Sequence, residues 1–315
     1  MFLGEEYMNE LEIIRHPQID GFSMFFNTVD YRTPHIHPEW ELIWVIENSL
    51  AVNSQAEEYI LEPGQMVLFN PNEPHEFHKL KESATFLCMQ ISSKILPEML
   101  PTYIDGKLVH EYLSKGEMQK LKDDLIKCMI SYLHREEHFA LYCVGKGSLI
   151  LYQLLQKMPS HTLTTEESSS IDKRNARLKR LIVFVDENYM HKIRLTDFAQ
   201  NEDCSVSYLS RFIKNTLNQN FQDYVTSVRF NCACKLIAAG DKKLLDVCLE
   251  SGFSDYRYFS REFQKQYGMT PEEYRNSMKA AKPERTVIRH SLHSMERFYS
   301  REDSLKLVEQ LKMGK

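Results

Sequence analysis

Two sets of residues in this chain of 315 have types and spacings suited to chemistry. The first is a repeat: Tyr208-Leu209-Ser210-Arg211 and Tyr258-Phe259-Ser260-Arg261 carry one YxSR pattern fifty residues apart, and Leu195/Leu245 and Tyr224/Tyr274 coincide at the same offset. An arginine can donate two hydrogen bonds to a guanine edge, and a short hydroxyl can approach a groove wall closely. One such amphipathic helix is most simply a solvated surface, but two matched copies favour base reading. The second set is His35-x-His37-x3-Glu41 with His75 downstream. Its nitrogen and oxygen donors suit Zn, Mn, Fe, Ni or Cu, and the same groups could hydrogen-bond a small polar ligand or serve as structural histidines. Trp40 and Trp44, the only tryptophans, lie beside them; such a ring can stack on a sugar, though an aromatic next to a strand is more often core.

The repeat requires helices to present it. Each copy reads as helix, turn, helix: Thr196 as an N-cap, Asp203 at the turn and Ser205 as the next cap, then Gly252 at the second turn with Ser254 or Asp255 capping the helix after it. On the second helix of each pair, Leu209, Phe212 and Ile213, or Phe259 and Phe263, form an apolar stripe. Opposite lie Ser207, Ser210, Arg211 and Lys214, or Arg257, Ser260, Arg261 and Gln264. Residues 221–238 contain no Gly or Pro, which predicts a connecting helix about 27 Å long. Two helices held that rigidly could enter successive major grooves, about 34 Å apart.

Residues 174–280 resemble the DNA-binding domain of AraC/XylS transcription regulators. The matching stretches are SVSYLSRFIKNTLNQNFQDYVTSVRFNCACKLI and ESGFSDYRYFSREFQKQYGMTPEEYR. The resemblance implies seven helices, two helix-turn-helix motifs, and groove-facing positions Ser207, Ser210, Arg211, Tyr256, Arg257, Ser260 and Arg261. It also implies double-stranded DNA and RNA polymerase as partners, a homodimer, and activation as the output. Asp203 stands where this family more usually has glycine, Val206 where proline is frequent, and Cys248 where alanine is usual.

Charge divides the chain in the same way. Residues 174–282 hold 18 Lys and Arg against 13 Asp and Glu, whereas residues 1–173 hold 14 against 26. A basic module joined to an acidic one fits nucleic-acid binding by the first and another task for the second. The Ser-, Thr- and Glu-rich stretch 159–170 reads as linker, so the expected domains are 1–158, a linker at 159–173, a DNA-binding unit at 174–282 and an extension at 283–315.

In the N-terminal part, ELIWVI, LAVNS, EYILEPGQ, MVLFNPNEPHEF and ATFLCMQIS read as short strands of a small antiparallel barrel or sandwich. Residues 115–134 and 138–158 read as helices that either cover the barrel or pack a dimer. HIHPEWELIWVIENSL with LEPGQMVLFNPNEPHEF resembles the cupin-type ligand-binding domain of many AraC regulators. The expected class is therefore α+β multidomain, a small cupin-like β-barrel with helices followed by an all-α unit. His35, His37, Glu41, Trp44 and His75 are the expected effector-binding residues, a carbohydrate being the first guess. The same four His and Glu residues have the form of a cupin metal site, so a metal-dependent cupin enzyme fused to a regulatory helical domain is the alternative; the main expectation is a non-enzyme without metal or other cofactor.

Seven scattered cysteines without a CxxC pair suit reduced thiols, and no stretch approaches 18 uninterrupted apolar residues. The start MFLGEEYMNE lacks the basic and apolar run of a signal peptide, giving a cytoplasmic expectation without a membrane partner. RFYSREDSLKLVEQLKM near the end is an amphipathic helix candidate whose docking the sequence leaves open.

Overall fold

Mostly continuous buried runs make one antiparallel sheet of Phe22–His35 (β1), Glu39–Glu47 (β2), Leu50–Ser54 (β3), Glu57–Leu61 (β4), Met66–Phe69 (β5), His75–Lys79 (β6) and Ala84–Ser92 (β7). The strand order is β4-β3-β6-β1-β7-β2-β5, and the sheet folds over into a nearly closed barrel. This computed structural model describes residues 19–54, 57–95, 101–239, 242–267, 269–280 and 294–313. Inside the barrel lie Val29, Ile43, Val45, Leu50, Val52, Phe69, Phe77 and Phe86. β1 changes partner along its length, pairing with β7 over Phe22–Val29 and with β6 over Tyr31–His35.

The runs LAVNS and ATFLCMQIS form β3 and β7 as expected. MVLFNPNEPHEF divides into β5 and β6, because Asn72 adopts φ 58° and Glu73 N–H donates to the Asn70 carbonyl at 3.2 Å, closing a turn. β1 was not foreseen. Its polar Asn27, Asp30, Arg32 and Thr33 hide the strand, and three of them find partners far away in sequence.

Thr102–Ile104 (β8) leads to Lys115–His134 (α1), opened by a Ser114/Glu117 capping box, and then Phe139–Lys157 (α2). Leu121, Leu125 and Met129 of α1 and Ile150, Leu151 and Leu154 of α2 share one core with the outward-facing Phe22, Phe26, Trp40, Leu42, Trp44 and Met89. The helices therefore cover the outer face of β1, β2 and β7. The polar stretch expected as linker is ordered: Ser160–Thr162 (β9) pairs with β8, and a Thr164/Glu167 capping box opens Thr165–Asn188 (α3). The S/T-x-x-E signal of a helix start was present there, beneath a composition that reads as loop.

Leu195–Asn201 (α4), Val206–Leu217 (α5), Phe221–Ala239 (α6), Leu244–Glu250 (α7), Tyr256–Tyr267 (α8) and Pro271–Ala280 (α9) complete the seven-helix unit with α3. α6 serves two cores: Tyr224, Val225 and Val228 pack with α3, α4 and α5, whereas Phe230, Ala233, Cys234 and Ile237 pack with α7, α8 and α9. Asp203 and Gly252 hold the two turns at φ 52° and 85°, and Ser205 and Asp255 cap α5 and α8. Thr196 does not cap; the N-cap of α4 is Arg194, whose amide is held by Asp197 at 3.0 Å.

Beyond the helical unit the chain returns to the barrel. Met295–Phe298 (β10) pairs antiparallel with Asn27–Tyr31, where β1 changes partner, and Arg301–Lys312 (α10) inserts Leu307 and Val308 into the core shared with α1 and α2. Of the extension expected at 283–315, residues 283–293 and 314–315 lie outside the described residues.

Candidate functional site

His35 ends β1, His37 lies in the short connection to β2, Glu41 is in β2 and His75 starts β6. The fold brings all four together at one end of the barrel, with one ligand atom from each within 4.8 Å of the others and every residue buried. His37 Nε2 lies 2.5 Å from Glu41 Oε2, and His75 Nε2 lies 3.8 Å from the same oxygen. Gln90 Nε2 donates to that oxygen at 3.0 Å. Phe69 stacks on His75 with ring centroids 4.1 Å apart, and Phe77 meets His35 edge-on, so an aromatic floor separates the tetrad from the apolar interior.

Tautomers follow from the backbone. A carbonyl can only accept, so His35 Nδ1, 2.9 Å from the Thr33 carbonyl, and His75 Nδ1, 2.8 Å from that of Glu73, each carry a proton. Both Nε2 atoms therefore present lone pairs. Burial, then the charges of Arg32, His75 and His37, hold His35 well below the usual imidazole range. Burial likewise lowers His75 to about 4, against the opposing pull of Glu41. Burial pushes Glu41 upward, but the charge and hydrogen bond of His37, with help from His75 and Gln90, outweigh it and hold the carboxyl at about 2. Near neutral pH the site thus offers the neutral imidazoles of His35 and His75 beside a carboxylate that His37 holds by charge and hydrogen bond.

That donor set fits a divalent transition metal on chemistry: imidazole and carboxylate ligands, ring orientations fixed by backbone acceptors, and a fully buried His75 Nε2 with no hydrogen-bond partner. Trp44 does not join it. Alternation along β2 turns Trp44 away from Glu41 toward α1, where Lys122 Nζ lies 5.7 Å from its ring centroid. Two residues that sequence reasoning missed do belong to the site. Gln90 is one; Arg32, whose Nε donates to His35 Nε2 at 3.3 Å, is the other. A charged residue inside an otherwise buried stretch was the available signal for Arg32.

On the helical unit, Ser207, Ser210 and Arg211 are exposed on α5, as are Arg257 and Arg261 on α8. Tyr256 and Ser260 are half-buried, and Tyr256 leans on the second core beside Phe259. Arg211 and Arg257 have no ion-pair partner among the described residues. Arg261 lies over Tyr258, 5.5 Å from its centroid, with Nε 3.3 Å from Glu262.

The two sites adjoin. A narrow cleft is bounded by Pro34, Ser54 and His75 of the barrel and by Thr216 and Asn218 at the end of α5. Asn175 of α3 donates to the Asn72 carbonyl at 2.7 Å, and Asn72 N–H donates to that of His37 at 2.8 Å.

Residues 16–151 match the AraC-like ligand binding domain, and residues 198–277 match a helix-turn-helix domain. The melibiose operon regulatory protein of Escherichia coli K12 is 21% identical over 271 residues, covering 78% of this chain and 86% of that protein. The uncharacterized HTH-type transcriptional regulator YbfI of Bacillus subtilis is 24% identical over 247 residues, covering 78% and 87%. Among solved structures, fatty-acid-bound ToxT of Vibrio cholerae aligns at 13% identity over 84% of this chain and 98% of that one, with a TM-score of 0.37. With a barrel matching one AraC domain and a double helix-turn-helix unit matching the other, the chain belongs to the AraC family of DNA-binding transcription regulators.

Proposed function

We propose that this regulator reads DNA as a cytoplasmic homodimer through Ser207, Ser210, Arg211, Arg257, Ser260 and Arg261, with Tyr256 at the rim, and that its effector binds at the His35/His37/Glu41/His75 end of the barrel. The observation that carries the reading is the shared cleft: the end of the first recognition helix closes over the polar end of the barrel. An effector that fits with this contact open better than with it closed would shift how α5 is presented, and one of equal affinity would shift nothing. Contact with RNA polymerase and activation of transcription complete the proposal. We assign no catalytic step; the relatives are regulators. Selecting bound fragments from genomic DNA and repeating the binding with each candidate effector tests it. Effector-independent occupancy of every selected site would overturn the sensing role.

A carbohydrate effector draws support from the name of the melibiose operon relative. The geometry weighs against a sugar at the tetrad itself, because the four donors converge within 4.8 Å and Trp44 faces the helices. A sugar would have to occupy the cleft by displacing the end of α5.

For the dimer, α2 leaves Leu141, Leu149 and Tyr152 exposed at 77%, 56% and 60%, at i, i+8 and i+11 on one stripe. A second copy of that stripe is a self-complementary partner for it. Leu149→Glu, which touches no buried core, is expected to shift sedimentation from dimer to monomer while leaving thermal unfolding within about 0.5 kcal/mol of wild type. An unchanged sedimentation coefficient would place the interface elsewhere.

A further inference from the structure

His35 is held at both ring nitrogens by groups that the C-terminal segment itself holds. At Nε2 the donor is Arg32 Nε, 3.3 Å away, and Arg32 Nη1 is ion-paired with Glu296 of β10. At Nδ1 the acceptor is the Thr33 carbonyl, and Thr33 N–H and Oγ1 meet Ser294 Oγ at 3.2 and 3.1 Å. Glu296 is buried and also accepts from Asn27 Nδ2 at 2.7 Å. The segment is anchored further by Phe298 against Phe25, by Tyr299 N–H on the Phe26 carbonyl, and by α10 on α1. It also reaches the helical unit, where Tyr274 OH lies 3.4 Å from Met295 Sδ.

We propose that the tetrad is a site for a divalent transition-metal ion, that the ion competes with Arg32 for the lone pair of His35, and that the docked segment 294–299 therefore opposes metal capture. The inference rests on reading this end of the barrel as the effector site and names the effector class. Two donors on opposite sides of an ion with bonds of about 2 Å lie about 4 Å apart, which is the scale of this cluster. His75 already points an unpartnered lone pair into it. His35 has one lone pair on Nε2, so it cannot accept from Arg32 and ligate a cation together. A guanidinium beside a dication is also repelled. Moving Arg32 pulls on Glu296, its partner in β10, and β10 is joined to α9 through Tyr274. By reciprocity, whatever weakens metal binding through the docked segment is matched by metal weakening that docking.

The test uses the full chain after chelator treatment. Calorimetric titration with zinc, nickel and magnesium chlorides is expected to show one site that takes zinc or nickel at least about 100-fold more tightly than magnesium, as imidazole ligands dictate. Hydrogen exchange at 294–299 should rise when that site is filled. Arg32→Gln should bind about tenfold more tightly, the scale of effects from groups bonded to a ligand, and His75→Ala should lose the site. No uptake of zinc or nickel, or equal uptake by His75→Ala, overturns the site. Uptake with unchanged exchange at 294–299 in the wild type overturns the competition, and this readout needs no variant to fold. Gel shifts on the same samples separate the two levels: DNA binding that persists without metal uptake sinks this inference alone, whereas metal uptake without any sequence-specific DNA binding sinks the functional reading and leaves the site.

Discussion

Replacing Arg211 and Arg261 together by alanine is expected to lower affinity for a selected operator by about 2–6 kcal/mol, from roughly 30-fold to more than ten-thousandfold. Each arginine that reads a base contributes about 1–3 kcal/mol. The two sit on helices with separate cores, α5 on the first and α8 on the second, so their effects should add. Arg211 projects without an ion-pair partner among the described residues. Arg261 gives up an exposed ion pair with Glu262 and its place over the Tyr258 ring, its own side chain being 71% exposed, and each such surface contact is worth at most about 1 kcal/mol. Arg→Lys at each position keeps the charge but removes the two-pronged donor, and so separates base reading from phosphate contact. If lysine restores full operator affinity, the contact is to phosphate, and the salt dependence of the alanine variant should fall by about one unit of slope. Unchanged operator binding by the double alanine variant would remove both residues from the interface.

The helical unit was legible because its signals are local. Ser205 and Asp255 cap, Gly252 turns, and the run 221–238 without Gly or Pro becomes α6. Each is a decision made within a few residues. The barrel was legible only in part. β3 and β7 alternate or run apolar, but β1 mixes Asn27, Asp30, Arg32 and Thr33 with aromatics because its polar groups are satisfied by partners more than 250 residues away or on neighbouring strands. No periodicity encodes such pairing. His35, His37 and Glu41 were found by their closeness in sequence, and His75 was joined to them by the resemblance to a cupin metal site, which implies a further imidazole across the barrel. Trp44 was misplaced for the opposite reason: nearness in sequence says nothing of which face of a strand a residue takes, and one position's alternation turns it to the helices. Arg32 and Glu296 could not be paired at all without the fold, which is why the link between the tetrad and the C-terminal segment was invisible.

The sensor and the DNA-binding unit are tied at three places with different chemistry. The end of α5 faces the barrel across the cleft, Asn175 bonds the turn that in turn bonds His37, and β10 grips β1 while touching α9. Two of these run through the backbone next to a tetrad residue. A change of occupancy at the tetrad therefore has short covalent and hydrogen-bonded paths to both recognition motifs, and neither path requires the barrel core to deform.

Gly252→Ala is expected to remove about 2–5 kcal/mol of stability from the helical unit and, with it, DNA binding. Gly252 holds φ 85°, where an L-residue costs about 1–2 kcal/mol. Space is the second cost: a Cβ there would sit 2.5 Å from the Tyr189 carbonyl oxygen and 2.9 Å from Met190 Cα. Both are backbone atoms, so no rotamer change relieves the clash, and overpacking of this kind adds about 1–3 kcal/mol. Neither can the backbone simply retreat, because Arg229 of α6 donates from Nε to the same Tyr189 oxygen at 2.8 Å and from Nη2 to the His191 carbonyl at 2.7 Å. The turn inside the second motif, between α7 and α8, is thereby wedged against the segment that leaves α3 and leads into the first, so strain at Gly252 reaches both recognition helices. Asp203, the equivalent turn of the first motif, is the internal control. It adopts φ 52° with a side chain already accommodated at an exposed position, so Asp203→Gly should change stability by less than about 1 kcal/mol in either direction. Urea midpoints for the two variants read the difference directly, with circular dichroism following the helices. A Gly252→Ala protein that unfolds at the wild-type midpoint would mean that α7 and the end of α3 are not in contact, and the two motifs would then be free to turn independently on DNA.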